Sequence, residues 1–185
     1  HLRFSNLNVT GNGTAAPQGG LIFTSHVVHH IEVLGGSYSN CGAAGTCHGI
    51  YFSGDDSLFD GVTMSGNGYL GMQLWGSGSS DGAARNIVRN CLISDNLQGG
   101  LAVNGADDLI YNNIIKGAGA NSGIVVGYAR GANDSIFNNT IYGNIPHGIV
   151  VGTYGTPTSG TLIKNNIISN NSGYAILNDD EGSGS

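Results

Sequence analysis

The chain has 185 residues, 33 of them glycine, with 10% charged residues, a formal net charge of −6 and a pI near 5.2. Only six residues are Lys or Arg, so the basic face that nucleic acid or an anionic membrane requires is missing. No apolar run is long enough to cross a bilayer, and the 39% hydrophobic content suffices for one continuous core, read as a single domain over 1–178 followed by an acidic, Gly/Ser tail over 179–185.

In chain order, one recurring position holds only Gly or Asn: Asn6, Gly35, Gly61, Asn90, Asn112, Asn138 and Asn165. These residue types most readily accept a positive φ, which predicts one tight left-handed corner per repeat. Two residues before it stand Phe4, Val33, Phe59, Val88, Ile110, Ile136 and Ile163, and three residues after it Val9, Tyr38, Met64, Ile93, Ile115, Ile141 and Ile168. Strand alternation sends both columns into a core. A third apolar pair follows a Gly in each repeat, from Leu21 and Phe23 through Ile149 and Val151 to Tyr174 and Ile176. Self-similarity at this period, with near copies at Leu109-Ile-Tyr-Asn-Asn-Ile-Ile, Ser135-Ile-Phe-Asn-Asn-Thr-Ile and Leu162-Ile-Lys-Asn-Asn-Ile-Ile, marks a stacked coil. Three short strands per coil, one tight corner and two looser turns predict an all-β right-handed parallel β-helix of about seven coils.

The residue after the corner points inward by the same alternation. In the last coils it is Asn113, Asn139 and Asn166, an expected internal ladder at the strand spacing of about 4.8 Å. Cys91 shares that column and reads as a small buried hydrophobe. Cys41 and Cys47 flank a short Gly-rich turn that closes as a disulfide in an oxidising compartment. Asn-x-Ser/Thr sequons at Asn8, Asn12, Asn133, Asn138 and Asn170 are compatible with secretion.

The units Gly-Ile-Val-Val-Gly (123–127), Asn138-Asn-Thr-Ile-Tyr-Gly-Asn and His48-Gly-Ile-Tyr-Phe-Ser-Gly resemble the pectate-lyase-like superfamily, in particular bacterial secreted right-handed β-helix repeat proteins. The resemblance covers nearly the whole chain. Its motifs are core and corner residues, specific for the fold and almost silent on chemistry. It implies that polysaccharide lies over the sheet after the strand Gly, between the loops that flank it.

On that sheet, alternation sends outward Ile22, Tyr51, Gln73, Ala102, Val125, Val150 and Ala175 in one row, and Thr24, Ser53, Trp75, Asn104, Gly127, Gly152 and Leu177 in the next. Tyr51, Gln73, Trp75 and Asn104 combine aromatic faces with amides, as sugar rings require, and Trp75 is the best single pointer. Tyr128 and Arg130 in one following turn, and Tyr154 in the next, are candidates for a wall. The alternatives are a Trp that covers a loop and an Arg that is a solvated charge.

Candidate catalytic groups are few. A lyase needs a base with a cation or Arg against the uronate carboxylate, and the six basic residues do not converge on the sheet; Arg130 is a weak candidate. Arg89 instead pairs with Asp60 on the adjacent coil, and Tyr111, Phe137 and Lys164 form a surface stack. A hydrolase needs opposed carboxylates, but Asp55-Asp56, Asp107-Asp108 and Asp179-Asp180 fall in turns, where a calcium site on Asp107, Asp108 and Asp134 is the alternative to plain turn residues. No other cofactor is expected. His48, near Tyr51 and the Trp75 row, is a weak candidate for a general base. It shares its repeat position with His147, about 19 Å away at one strand spacing per coil. His26, His29 and His30 cluster in one turn without a further ligand at fixed spacing. Gly66-Asn-Gly-Tyr-Leu-Gly71 matches a dinucleotide fingerprint by letter only, since it joins two strands.

The first functional expectation is therefore a secreted polysaccharide-binding or lyase-like β-helix, with a neutral or calcium-bridged glycan as partner because of the negative charge. The alternative is a non-catalytic solenoid that stacks end to end into fibres or belongs to a larger surface protein.

Overall fold

The structure, a computed structural model, describes residues 1–11, 19–25, 27–42, 45, 47–76, 83–127, 132–152 and 158–179. Among these, every regular element is a strand, and the strands stack in three parallel seven-stranded sheets. The chain visits the sheets in strict rotation, so each strand pairs with the equivalent strand of the neighbouring coil. The family of predicted columns is reproduced in register: Phe59 lies beside Val33 and Val88 in the first sheet, Ile93 beside Met64 and Ile115 in the second, and Leu101 beside Met72 and Ile124 in the third. All of these side chains are buried. Towards the first coils the core is filled by an edge-on chain of rings, Phe4, Phe23, Phe52 and Phe59, with centroids 5.1–5.9 Å apart.

The corner column behaves as expected: its seven residues have φ between 52° and 68°. The two turns expected to be looser are also left-handed corners. The second runs through Gly11, Asn40, Gly66, Asp95, Gly117, Gly143 and Asn170, and the third through His30, Asp56, Arg85, Asp107, Asn133 and Gly160. The corners are five residues apart from third to first and from first to second, as from Asp107 to Asn112 to Gly117. Only the passage from second to third varies, from 12 residues (Asp95 to Asp107) to 19 (Gly66 to Arg85). That passage contains the third sheet.

The residue after a corner stands inward in most coils, and where the next coil carries a polar side chain at that position the backbone N–H commonly donates to it. The expected ladder is present, with Asn113 Nδ2 to Asn139 Oδ1 and Asn139 Nδ2 to Asn166 Oδ1 both at 3.0 Å. A second ladder follows the second corner, where Asn67 Nδ2 donates to Asn96 Oδ1 and Asn144 Nδ2 to Asn171 Oδ1 at 2.9 Å each. Cys41 occupies that same column, its N–H donating to Asn67 Oδ1, and it is disulfide-bonded to Cys47. A third column holds Ser57, Asn86, Asp108 and Asp134, linked through backbone N–H donors at 2.8–3.1 Å. Amide ladders satisfy the backbone groups that a corner removes from the sheets.

The last coil departs from the expected register. Ile149 pairs with Ile176 and Val150 with Leu177, two residues later than the Gly-led pattern places them. Ala175 fills the position held by Gly148 one coil earlier. A slip of two preserves which face each residue uses.

On the outer face of the first sheet, Arg89 Nη2 meets Asp60 Oδ2 at 2.8 Å and Arg89 Nη1 donates to Tyr111 Oη at 3.0 Å. Tyr111 stacks on Phe137 at 5.0 Å, and Lys164 Nζ lies 5.5 Å from the Phe137 centroid. These residues form the surface row expected from the sequence, away from the third sheet.

Candidate functional site

A groove of about 430 Å³ runs over the outer face of the third sheet. Its floor is the outward row Tyr51, Gln73, Ala102, Val125, Val150 and Leu177, one residue per coil. One wall comes from the turns that enter this sheet and carry Tyr69, Asn121, Ser122 and His147; Trp75 and Asp179, each just after its strand, line the other side. The groove therefore lies on the side of the solenoid where coil length is free to vary. The segments that follow Gly76, Gly127 and Gly152 on this side, 77–82, 128–131 and 153–157, lie outside the described residues, and with them the candidates Tyr128, Arg130 and Tyr154.

The lining is aromatic at one end and aliphatic at the other. Tyr51, Tyr69 and Trp75 surround Gln73, whereas Ala102, Val125 and Val150 form a smooth and largely buried strip. Among the described lining residues there is no Lys or Arg, and Asp179 is the one carboxylate. Tyr51 has its hydroxyl pKa raised, by burial first and with a hydrogen bond from Ser53 acting the other way.

His48 is not a groove residue. It is 7% exposed and wedged beneath two of the groove tyrosines, with ring centroids 5.3 Å from Tyr51 and 4.9 Å from Tyr69. Burial lowers its pKa to about 4, so it is neutral and positions the two rings. The equivalent histidine four coils on, His147, is the one that lines the groove. Its Nδ1 accepts the Tyr174 backbone N–H at 2.9 Å, its ring stacks on Tyr174 at 5.4 Å, and its own N–H donates to Ser122 Oγ at 3.2 Å. Ser122 holds an uncommon φ of 70° for a non-glycine residue.

Of the residues singled out from the sequence, Tyr51, Gln73 and Trp75 come together in the groove. Asn104 does not: it is fully buried and off the lining. The cause is the short connection from Val103 to the corner residue Asp107, which turns through Gly105, where a Cβ would meet the Ala83 carbonyl oxygen at 1.8 Å. Ser53, on the other coil with a three-residue connection, is buried in the same way. Tyr69 escaped the sequence reading, and His147 entered it only as the repeat equivalent of His48, because both stand in turns of variable length, outside the two alternating rows.

The acidic candidates are also redistributed. Asp107 is an exposed left-handed corner, while Asp108 and Asp134 point into the core column and accept backbone N–H donors. Among the described residues no group of three or more His, Cys, Asp or Glu side chains is placed to hold a metal ion. His29 and His30 touch through their Nδ1 atoms at 2.7 Å, beside an Asp56 already paired with Arg85 at 2.7 Å; His26 lies outside the described residues. The sequons at Asn133, Asn138 and Asn170 fall on corners, Asn8 lies on an exposed strand, and Asn12 is outside the described residues.

Residues 4–185 match the family described as the right handed beta helix region. The chain belongs to that family. Among solved structures, pectate lyase Pel9A superposes with a TM-score of 0.72 at 16% identity over 92% of this chain and 46% of its own. The A-module of the mannuronan C-5 epimerase AlgE4 of Azotobacter vinelandii gives 0.61 at 19% identity, covering 97% of this chain and 57% of that one. A variant of the periplasmic alginate epimerase AlgG gives 0.53 at 15% identity, over 95% and 47%. This β-helix chain thus spans about half the length of these structures, and at such identities the likeness is one of fold. Comparison with curated proteins gives no match.

Proposed function

We propose that this is a secreted β-helix protein that binds a neutral polysaccharide in the groove over its third sheet. The observation that carries the reading is the convergence of Tyr51, Tyr69 and Trp75 on one groove whose described lining has no basic side chain. Aromatic faces stack on the apolar faces of sugar rings, and amide and hydroxyl groups complete the recognition of hydroxyls. A polyuronate chain would meet a protein of net charge −6 with no cation in the described lining to receive it. His147 Nδ1 is occupied by a backbone donor, so this ring does not supply the base of an elimination through that atom. The polysaccharide lyase and epimerases among the solved relatives support glycan as the ligand class, and the Cys41–Cys47 disulfide supports an oxidising compartment.

A glycan array probed with the wild type and with Trp75→Ala tests the reading. Binding of neutral oligosaccharides that is lost in the variant is expected; an unchanged array pattern would overturn the assignment of the groove. Ultraviolet-absorbing unsaturated products from polyuronates would instead make the protein a lyase.

A further inference from the structure

We infer that the groove selects a glycan bearing acetyl groups; the inference rests on the glycan reading above and adds the substituent. An unsubstituted sugar chain presents hydroxyls along its edges, and these need polar partners or water once bound. The floor at the groove's second half offers neither. Ala102, Val125 and Val150 stand on three successive coils, are 5%, 8% and 5% exposed, and present only methyl groups. A strip of this kind matches ligand methyls, which are water-averse and gain by burial.

The wall beside that strip supplies a hydrogen-bond donor of fixed identity. The Tyr174 backbone N–H can only donate, so His147 Nδ1 is the acceptor and the ring's proton resides on Nε2. Ring stacking on Tyr174 holds this orientation, and the backbone N–H of His147 is anchored on Ser122 Oγ. His147 thus offers the groove an Nε2–H donor, and an acyl carbonyl oxygen is an acceptor without a proton of its own. An acetyl group carries both features within one substituent: a methyl for the aliphatic strip and a carbonyl for the imidazole N–H. The absence of Lys and Arg from the described lining fits an uncharged substituent rather than a carboxylate.

The experiment compares O-acetylated mannan oligosaccharides with the same material after saponification, both neutral, by calorimetry on the wild type, Val125→Thr and His147→Phe. Val125→Thr keeps the side-chain shape and adds a hydroxyl to the floor; His147→Phe keeps a ring against Tyr174 and removes the N–H. The expected result is about tenfold tighter binding of the acetylated form by the wild type, from one buried methyl and one hydrogen bond, with the preference lost in either variant. Equal affinity of the wild type for both forms overturns the acetyl inference and leaves the glycan reading standing. A preference that survives both substitutions overturns the assignment to this strip and wall. If neither form nor any arrayed glycan binds, the glycan reading fails and this inference with it.

Discussion

The backbone N–H of Asp108 donates to Asp134 Oδ1, 3.0 Å away on the next coil, and both side chains are fully shut off from solvent. In the parallel column Asn113 N–H donates to Asn139 Oδ1 at the same distance, but there the amide Nδ2 of each residue also donates onward. A carboxylate has no such donor unless it is protonated. The second oxygens of Asp108 and Asp134 have no hydrogen-bond partner among the described residues. Burial, reinforced by the charge of Asp134, pushes the Asp108 carboxyl well above the usual range, and burial raises Asp134 to about 7.

Replacing these carboxylates by the ladder's own amide is expected to stabilise the fold. Asp108→Asn and Asp134→Asn each supply the donor that an ionised carboxylate lacks, and Asp134→Asn also removes a charge present at pH 8, a gain there of about 1–3 kcal/mol. For a chain of this size that is a rise of about 2–4 °C in Tm per kcal/mol, read by thermal unfolding. A lower Tm for both variants at pH 8 would show that the acid form is preferred.

The same pair sets a pH dependence. The folded-state pKa values lie above the unfolded value of about 3.9, so the native state holds protons that the unfolded chain releases. The Asp134 contribution is fully present below pH 4 and is lost as pH rises through about 7, and that of Asp108 is likewise lost as pH rises through its own raised value. His48, lowered to about 4 by burial, opposes this: its contribution is present above the unfolded value of about 6.5 and is lost as pH falls through about 4. The stability advantage of Asp134→Asn over wild type should therefore grow from pH 4 to pH 8, and His48→Gln should flatten the acid limb. Urea unfolding across that range checks both.

Asn139 sits at the centre of its ladder, donating to Ile110 O at 2.9 Å and Asn166 Oδ1 at 3.0 Å while accepting from Asn113. Asn139→Ala strands several buried groups at once and is expected to cost about 2–4 kcal/mol. Asn166→Ala, nearer the open end and only partly buried, should cost less. Equal losses would mean that the ladder does not act through burial.

Cys91 is buried, its Sγ donates to Arg89 O at 3.1 Å, and burial pushes its thiol up to about 12. A thiol reagent at pH 8 should leave it untouched in the native protein and modify it only in urea. The Cys41–Cys47 pair closes a loop with a separation of six residues, so Cys41→Ser with Cys47→Ser should cost about 2 kcal/mol in the loop-entropy picture.

Much of this architecture was legible because one corner is spelled in only two letters, Gly and Asn. The third corner is written with His30, Asp56, Arg85, Asp107, Asn133 and Gly160, and that mixture conceals a shared φ of 51–72°. Stepping five residues back from the legible corner would have found it. Period-two alternation sends Tyr51, Gln73 and Trp75 outward, and all three line the groove, because a strand fixes where its side chains point. It failed at Asn104, where a short connection overrides alternation, and it was silent on Tyr69 and His147, whose turns have no period. His48 and His147 look equivalent by position, yet only one lines the groove, because Tyr51 and Tyr69 roof the other.

The fixed five-residue intervals make the chain a phase-locked device with one free arc. Adding or removing a single residue between the third and first corners, or between the first and second, would turn every later inward side chain outward until the next correction. Extra residues between the second and third corners merely lengthen a lateral excursion, leaving the ladders above and below in step. The rim of the groove can therefore be rewritten by insertion, coil by coil, while the buried amides keep count.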